Sequence, residues 1–495
     1  MDLTSAPYVA LSHCWGNKPT LTSTISTLPA HKEKILFSTM PKTFQDAVTI
    51  TKALGVSYLW IDSLCIVQDS LDDWLTECPK MGLYYRNSYV TISALESPDS
   101  QHGFLAPREL GDTIRLPGET AVWIRPKLKD RGKIFQSAAL NYRGWALQER
   151  LMSTRVLHFT HQEMFWECQT CSARESSVVE NRGATDFQSL TSSEGEDFKR
   201  ALQFVGSDRF SNRDGAFAIW MRLVRQFSRR SLTYPTDKLP AISGLAAIMA
   251  ANTKSKYMAG LWQDDPHGLA WFKDGPDDAV SHFKEDEEEL PYLAPSWSWV
   301  SLNESVTYRF NEEDRVTSTK DPILVSAEID TRDADLFGYV SGGCITIEAL
   351  VKTVQCATYS ANEKVFGRIE PKHWLSGVAP FSALPIYVYG EDGTSIGTGC
   401  FDRDFDSGVV HTCKAVRIAE RCYERQPYWT GDVYNPINRS GPIKQSVIYF
   451  LLVRPDERNE GVWKRVGVGL TRNIPQRENY SDPFDSLNWE RLTLF

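Results

Sequence analysis

An alternation within the first hundred residues constrains this chain most. Tyr8-Val9-Ala10-Leu11-Ser12 follows Pro7 and reads as a buried strand. Thr43 can cap a helix running to about Leu54, with Phe44, Ala47, Val48 and Ile50 through Ala53 roughly on one side, and Gly55 ends it. Tyr58-Leu59-Trp60-Ile61 is a second strand-like run. Asp69 or Ser70 can cap a helix through about Tyr85, and Tyr89-Val90-Thr91-Ile92-Ser93 is a third strand. Strands separated by helical patterns predict an α/β unit with a mainly parallel sheet.

The chain has 495 residues, room for about three domains. A short helix is predicted around Trp145 to Leu151, then strand-like runs at Arg155–Phe159 and Glu163–Glu167. Residues 176–195 are rich in Ser, Thr, Gly and Glu and read as a linker or loop. Helical patterns follow, from Asp197 to about Arg229 and from Lys238 to Ala251, and the acidic run Lys284 to Glu289 reads as a solvated loop. From Ile323 onward β-rich runs are separated by Gly, Asp and Pro: Ile323–Ile329, Cys344–Val354, Leu384–Tyr389, Val409–Ile418, Ser446–Val453 and Val462–Leu470. They fit an antiparallel sheet, sandwich or barrel. The expected organisation is an α/β domain over 1–175, a mainly helical region over 176–300 and a β-rich domain over 301–495.

Composition excludes several classes. Hydrophobic residues at 42% and charged residues at 24% rule out disorder and coiled coil as descriptions of the whole chain. A net charge of -9 with no dominant basic patch argues against nucleic-acid binding. No apolar run reaches transmembrane length, and the N-terminus lacks the basic start and apolar stretch of a secretory signal. Ten scattered Cys are far below disulfide-scaffold density, so reduced thiols and a cytoplasmic location are expected.

Three segments concentrate residues able to do chemistry. Ser12-His13-Cys14-Trp15-Gly16-Asn17 follows the first strand, and Asp62-Ser63-Leu64-Cys65-Ile66-Val67-Gln68-Asp69 follows the second. Arg143-Gly144-Trp145-Ala146-Leu147-Gln148-Glu149-Arg150 is the third. Open α/β sheets bind ligands outside the carboxyl ends of their strands. A parallel sheet therefore places His13, Trp15 and Asp62 on one rim, over which the third segment must fold.

The stretches YVALSHCWG, YLWIDSLCIVQDSLDDW, MGLYYRNSYVTISA and YRGWALQERLMSTRVLHFT resemble the heterokaryon-incompatibility (HET) domain of filamentous fungi, over about Tyr8 to Cys168. Further on, DKLPAISGLA, YMAGLW and APSWSWVSL look like the region that often follows this domain. The resemblance implies a role in non-self recognition and cell death. It also implies distant kinship with Toll/interleukin-receptor (TIR) domains, some of which cleave the nicotinamide glycosidic bond of NAD with a Glu in a Trp-Cys-x-x-Glu stretch. Glu149, closing Trp145-Ala146-Leu147-Gln148-Glu149, is the candidate for the matching acid, and Tyr8 to Gly16 would be the first TIR strand and its loop.

The chemistry has its own rationale. Glycosidic cleavage passes through an oxocarbenium-like state that a carboxylate such as Glu149 stabilises or captures. The bound nicotinamide is already cationic, so no strong general acid is required. Trp15 or Trp145 can stack on a cationic ring. Asp62 can bind ribose hydroxyls or position Glu149, and His13 can move protons near neutral pH. Glu149, Asp62 and His13 are thus the catalytic candidates, with Ser12, Trp15, Gly16, Asn17, Trp145 and Gln68 as substrate-binding candidates. NAD enters as a substrate, with no cofactor, and several chains are expected to assemble. Two other functions fit the same residues: a dehydratase or cyclase of small-molecule metabolism, and a non-enzymatic assembly module.

Each residue also has a plainer reading. Glu149 can pair with Arg150 or Arg143 on an exposed helix, a contact of little energetic value. Asp62 can close an Asx turn. His13 and Cys14 point to opposite faces of an extended strand end, which argues against a nucleophile pair and for Cys14 as a small buried residue. Trp297 and Trp299 alternate onto one strand face and read as a hydrophobic anchor between helical and β parts. His158, His161, Cys168 and Cys171 are zinc-type ligands, but their spacing matches no zinc-site pattern, so no metal is expected.

Overall fold

The computed structural model describes residues 6–17, 20–108, 114–116, 122–124, 126–181, 199, 213–274, 291–308, 315–316, 318–331, 335–358, 386–402, 409–425, 443–471, 474–475, 482–485 and 487–495. The predicted acidic loop at 284–289 and most of the predicted linker at 176–195 lie outside the described residues. The chain divides into two compact units, one of residues 1–211 and 230–253, the other of residues 212–229 and 254–495.

In the first unit β1 (Tyr8–Ser12) is flanked by β2 (Tyr58–Trp60) and β3 (Val90–Ser93), both parallel to it. β3 also pairs in parallel with β6 (Arg155–Phe159). A small antiparallel pair, β4 (Ile114–Leu116) and β5 (Val122–Ile124), precedes β6 in the chain. From β6 the sheet turns antiparallel through β7 (Met164–Cys168), β8 (Ser172–Arg174) and β9 (Ser177–Asn181). The sheet is therefore mixed, a correction to the expected mainly parallel one. The physical reason is connection length: only residues 160–163 join β6 to β7, and a parallel crossover needs a dozen or more.

The helices of this unit are α1 (Leu28–Glu33), α2 (Lys42–Ala53), α3 (Asp62–Cys65), α4 (Leu71–Glu77), α5 (Met81–Asn87), α6 (Arg131–Ser137) and α7 (Trp145–Met152). Pro41, not Thr43, is the N-cap of α2. The Thr43 hydroxyl instead donates to Asp99 O at 3.2 Å and accepts from Gly103 N at 3.1 Å. Ser70 caps α4 by accepting from Asp73 N at 3.2 Å, as the pattern predicts. The single predicted helix after it is interrupted by a 3₁₀ turn at Cys78–Lys80, because Pro79 has no N–H to continue the ladder.

Strand alternation sorts the side chains of β1. Val9 and Leu11 join Phe44 and Ala47 of α2, Ile92 and Phe159 in one fully buried cluster. Ser12 faces the other way, toward α7. A second cluster of Cys14, Leu95, Ile134, Phe135, Ala146 and Phe165 ties α6 and α7 to the sheet.

The second unit holds α8 (Arg213–Ser228), whereas α9 (Ser243–Thr253) packs on α5 and α7 of the first. The residues expected to form a helical middle are thus shared between the units, and those described include more than helix: β10 (Tyr257–Met258), β11 (Leu261–Trp262) and β12 (Phe272–Lys273). The Trp297–Trp299 segment is a turn leading into a 3₁₀ helix rather than a strand. Its Ser298 hydroxyl caps that helix by accepting from Val300 N at 3.1 Å, which fixes the helical turn. Both Trp rings are fully buried, and Trp299 meets Phe227 of α8 at 6.0 Å.

β13 (Val306–Thr307) pairs with β12. The large sheet comprises β14 (Arg315–Val316), β15 (Ile323–Thr331), β16 (Val340–Thr358), β17 (Ile386–Gly390), β18 (Ser395–Phe401), β19 (Val410–Arg425), β20 (Ile443–Pro455), β21 (Val462–Thr471), β22 (Ile474–Pro475) and β23 (Trp489–Leu494). Six of these close a ring of antiparallel pairs, β16–β17–β18–β21–β20–β19 and back to β16. Closure removes the exposed edges of those strands. Val354, Val388, Cys413, Ile448, Phe450 and Leu452 are among the apolar residues of its core. Glycines permit the tight approach of β18 to β21: a Cβ at Gly399 would meet Val468 O at 2.5 Å, and one at Gly467 would meet Cys400 O at 2.5 Å.

Candidate active site

The ends of β1 and β2 and the first turns of α7 bring three sequence segments to one point of the first unit. The Ser12 hydroxyl donates to Glu149 Oε2. Arg143, just before α7, reaches across both strand ends. Its Nη1 donates to His13 O and lies 3.9 Å from Glu149 Oε1, and its Nη2 donates to Asp62 Oδ2 at 3.3 Å. Trp15 Nε1 donates to the same Asp62 oxygen at 3.0 Å, with the guanidinium 5.8 Å over its ring. His13 Nδ1 sits 4.0 Å from Asp62 Oδ1, which itself accepts from Ser63 N at 2.8 Å. Asp62 thus closes a local turn with one oxygen and serves the cluster with the other.

Burial dominates the electrostatics. Glu149 and His13 are each 1% exposed. Burial raises the Glu149 carboxyl above its ordinary value; Arg143 opposes this, Asp62 adds to it, and the Ser12 and Tyr85 hydroxyls favour the ionised form. Burial lowers His13 to about 4, with Asp62 opposing and Arg143 assisting. His13 is therefore neutral at pH 7 and can accept a proton but has none to donate as an acid, which corrects the expectation of a group poised near neutrality. Burial alone would lower Arg143, but Glu149 and Asp62 carry it above the usual guanidinium range, so it stays charged.

Three buried polar atoms here have no hydrogen-bond partner among the described residues: Glu149 Oε1, His13 Nδ1 and His13 Nε2. Buried polar groups are nearly always paired, and each exception calls for an explanation. The His13 ring rests edge-on against Phe44 at 5.2 Å.

Other predicted residues are placed differently. Gly16 has φ +79°, and its neighbour Asp99 occupies the place of a side chain, so only glycine fits the turn that carries Trp15. Asn17 is exposed beside it. Gln68 spends its amide on Ile66 O at 2.9 Å and Asp62 O at 3.3 Å, bracing α3. Trp145 packs edge-on against Trp74 at 5.8 Å and donates to Asp237 at 3.4 Å. Its indole is committed to packing.

The sequence reading missed Arg143 as the hub and Tyr85 altogether. Arg143 sits inside a segment singled out for other residues. Tyr85 lies on α5, where it reads as an ordinary core aromatic, yet its hydroxyl donates to Leu11 O at 3.2 Å and acts on Glu149. Among the described residues no group of three or more His, Cys, Asp or Glu is arranged to hold a metal. His158 turns to Glu167 at 2.9 Å, while His161 lies beside Glu96 at 3.9 Å.

The first unit is thus a mixed α/β fold with a charged cluster at the carboxyl ends of its parallel strands. Residues 8–149, which hold the whole cluster, match the family model described as heterokaryon incompatibility protein (HET), so that segment is a HET domain. No curated protein matches the chain, and no solved structure does. No helix among the described residues is long and apolar enough to cross a membrane.

Proposed function

We propose that this is a heterokaryon-incompatibility protein of non-self recognition and cell death, and that its HET domain hydrolyses the nicotinamide glycosidic bond of NAD. The observation that carries this reading is Glu149 Oε1, buried 3.9 Å from Arg143 Nη1 and without a hydrogen-bond partner among the described residues. A carboxylate with one oxygen fixed by Ser12 and the other unsatisfied is short of a partner that an oxocarbenium would supply. Water then adds at the anomeric carbon, nicotinamide leaves as the neutral base, and the released proton passes to solvent. Asp62 and Arg143 position the carboxylate. Trp15 and Arg143 are the partly exposed members of the rim, and Gly16 is exposed. The test is nicotinamide release from NAD by the full chain, free and assembled. Turnover falling by about a hundredfold to a thousandfold in Glu149→Gln supports the reading. No release in any assembly state counts against it.

A second reading, a non-enzymatic assembly module, is favoured by the near-complete burial of Ser12, His13 and Glu149. Cell killing retained in Glu149→Gln would select it.

A further inference from the structure

The sequence carries one Cys-x-x-Cys pair, Cys168 and Cys171, which the cluster around Glu149 does not use. Cys168 ends β7 and Cys171 immediately precedes β8, with the exposed Gln169 and Thr170 forming the loop between them. The pairing of Glu167 with Ser172 sets the two strand ends side by side. Cys168 N then donates to Cys171 O at 3.0 Å, which closes the loop at the two cysteines. Both are reduced and half-buried, within reach of a small reagent in solvent.

The geometry is close to that of a bonded pair. The two sulfurs lie 3.5 Å apart. A disulfide needs about 2.05 Å, so they must approach by about 1.5 Å. Neighbouring strands lie about 4.8 Å apart, and disulfides span Cα separations of about 4.4–6.8 Å. Side-chain rotation therefore makes the bond while the hairpin stays paired.

The surroundings also prepare one sulfur to attack. Cys171 N donates to Cys168 Sγ at 3.4 Å, and the Thr170 hydroxyl lies 3.3 Å from it. The proton of the Cys168 thiol points at Cys171 O, 3.4 Å away. Burial raises this thiol, but the hydrogen bonds from Thr170 and Cys171 outweigh it and bring the group down to about 7. A large share of Cys168 is thus thiolate at neutral pH, which is the nucleophilic form. Cys14 shows the contrast: burial pushes its thiol up to about 11.

We infer that Cys168 and Cys171 form a redox dithiol, oxidised by a hydroperoxide to an intramolecular disulfide and restored by a dithiol reductant. The Cys168 thiolate attacks the terminal oxygen of the hydroperoxide. The S–O bond forms, the O–O bond breaks, and the departing alkoxide or hydroxide takes a proton from solvent. The Cys171 sulfur then attacks the sulfur of the Cys168 sulfenic acid. The S–S bond forms, the S–O bond breaks, and the leaving hydroxide departs as water with the proton of the Cys171 thiol. Two electrons pass from the sulfurs to the peroxide, and a dithiol returns them through a mixed disulfide. This pair stands whether or not Glu149 cleaves NAD.

The test treats the full chain with equimolar hydrogen peroxide, alkylates and digests it, and reads the peptide holding both cysteines by mass spectrometry. That peptide should be short of two hydrogens and unalkylated at both sulfurs, and dithiothreitol should return it to the alkylated dithiol. In Cys171→Ser, Cys168 should stop at the sulfenic acid and be trapped by dimedone several-fold more than in the parent. In Cys168→Ser, Cys171 should oxidise at least about tenfold more slowly than Cys168 does in the parent. Unfolding midpoints establish that each variant is folded, and the result on the parent chain needs no variant. The inference is overturned if both thiols alkylate fully after peroxide or if either cysteine links to a third one instead. It is equally overturned if dithiothreitol does not restore the pair, or if Cys171 in Cys168→Ser oxidises as fast as Cys168 does in the parent.

Discussion

Two buried charged clusters in this protein differ in how completely they are satisfied. In the second unit Arg465 is fully buried, yet every part of its guanidinium is used. It donates to Asp402 at 2.8 and 3.2 Å, to Trp271 O at 2.6 Å and to Leu269 O, and it lies 3.2 Å over the Trp271 ring. In the first unit Glu149 and His13 are as deeply buried and leave three polar atoms without a hydrogen-bond partner among the described residues. Satisfied buried charge fixes a fold; unsatisfied buried charge marks the place where a protein has given up stability for something else.

The comparison can be broken by mutation. Arg465→Met strands Asp402 without its counter-charge in the core and should cost about 3–5 kcal/mol of stability, read from denaturant midpoints. A loss under 1 kcal/mol would remove the contrast between the clusters. The next largest effect is acid sensitivity. His13 and His158 are both lowered by burial from 6.5 to about 4, so the unfolded chain binds more protons between those values. Stability is fully present above about pH 6.5 and is lost as pH falls toward 4, by about 3 kcal/mol per histidine. His13→Gln should remove about half of that drop. Glu149 has the opposite sign. Its raised folded value means that the folded state holds the proton longer, so its contribution is present below about pH 4.5 and is lost as pH rises through the folded value. The smallest effect is at the rim: Gly16→Ala, at φ +79°, should cost about 1–3 kcal/mol, and more if Asp99 cannot move aside.

Much of the first unit was legible in the sequence because its strands are short, apolar and bounded by Pro or Gly. The expectation that His13, Trp15 and Asp62 share a rim followed from one rule, that parallel strands present their carboxyl ends on one side, whereas the folding of Glu149's segment over that rim followed from no rule. Arg143 as the hub was not legible, because nothing local distinguishes an arginine that spans two strands from one on a helix surface. Trp145 and Gln68 shared the motif segments, but their spacing carried no sign that their polar atoms were already taken by Asp237 and by backbone carbonyls. Ring closure in the second unit rests on the pairing of β19 with both β16 and β20 and on the glycines of β18 and β21. Such pairings are non-local, so periodicity within each strand could not choose among sheet, sandwich and barrel. The division of α8 from α9 likewise lies in tertiary packing alone.

The most direct measurement takes Glu149→Gln and reads NAD turnover and unfolding free energy on the same preparation. Nicotinamide release should disappear while stability at pH 7 stays level or rises, because the substitution relieves a buried, incompletely paired carboxylate. Stability falling by several kcal/mol, or turnover surviving the change, would make Glu149 a structural residue and contradict the account.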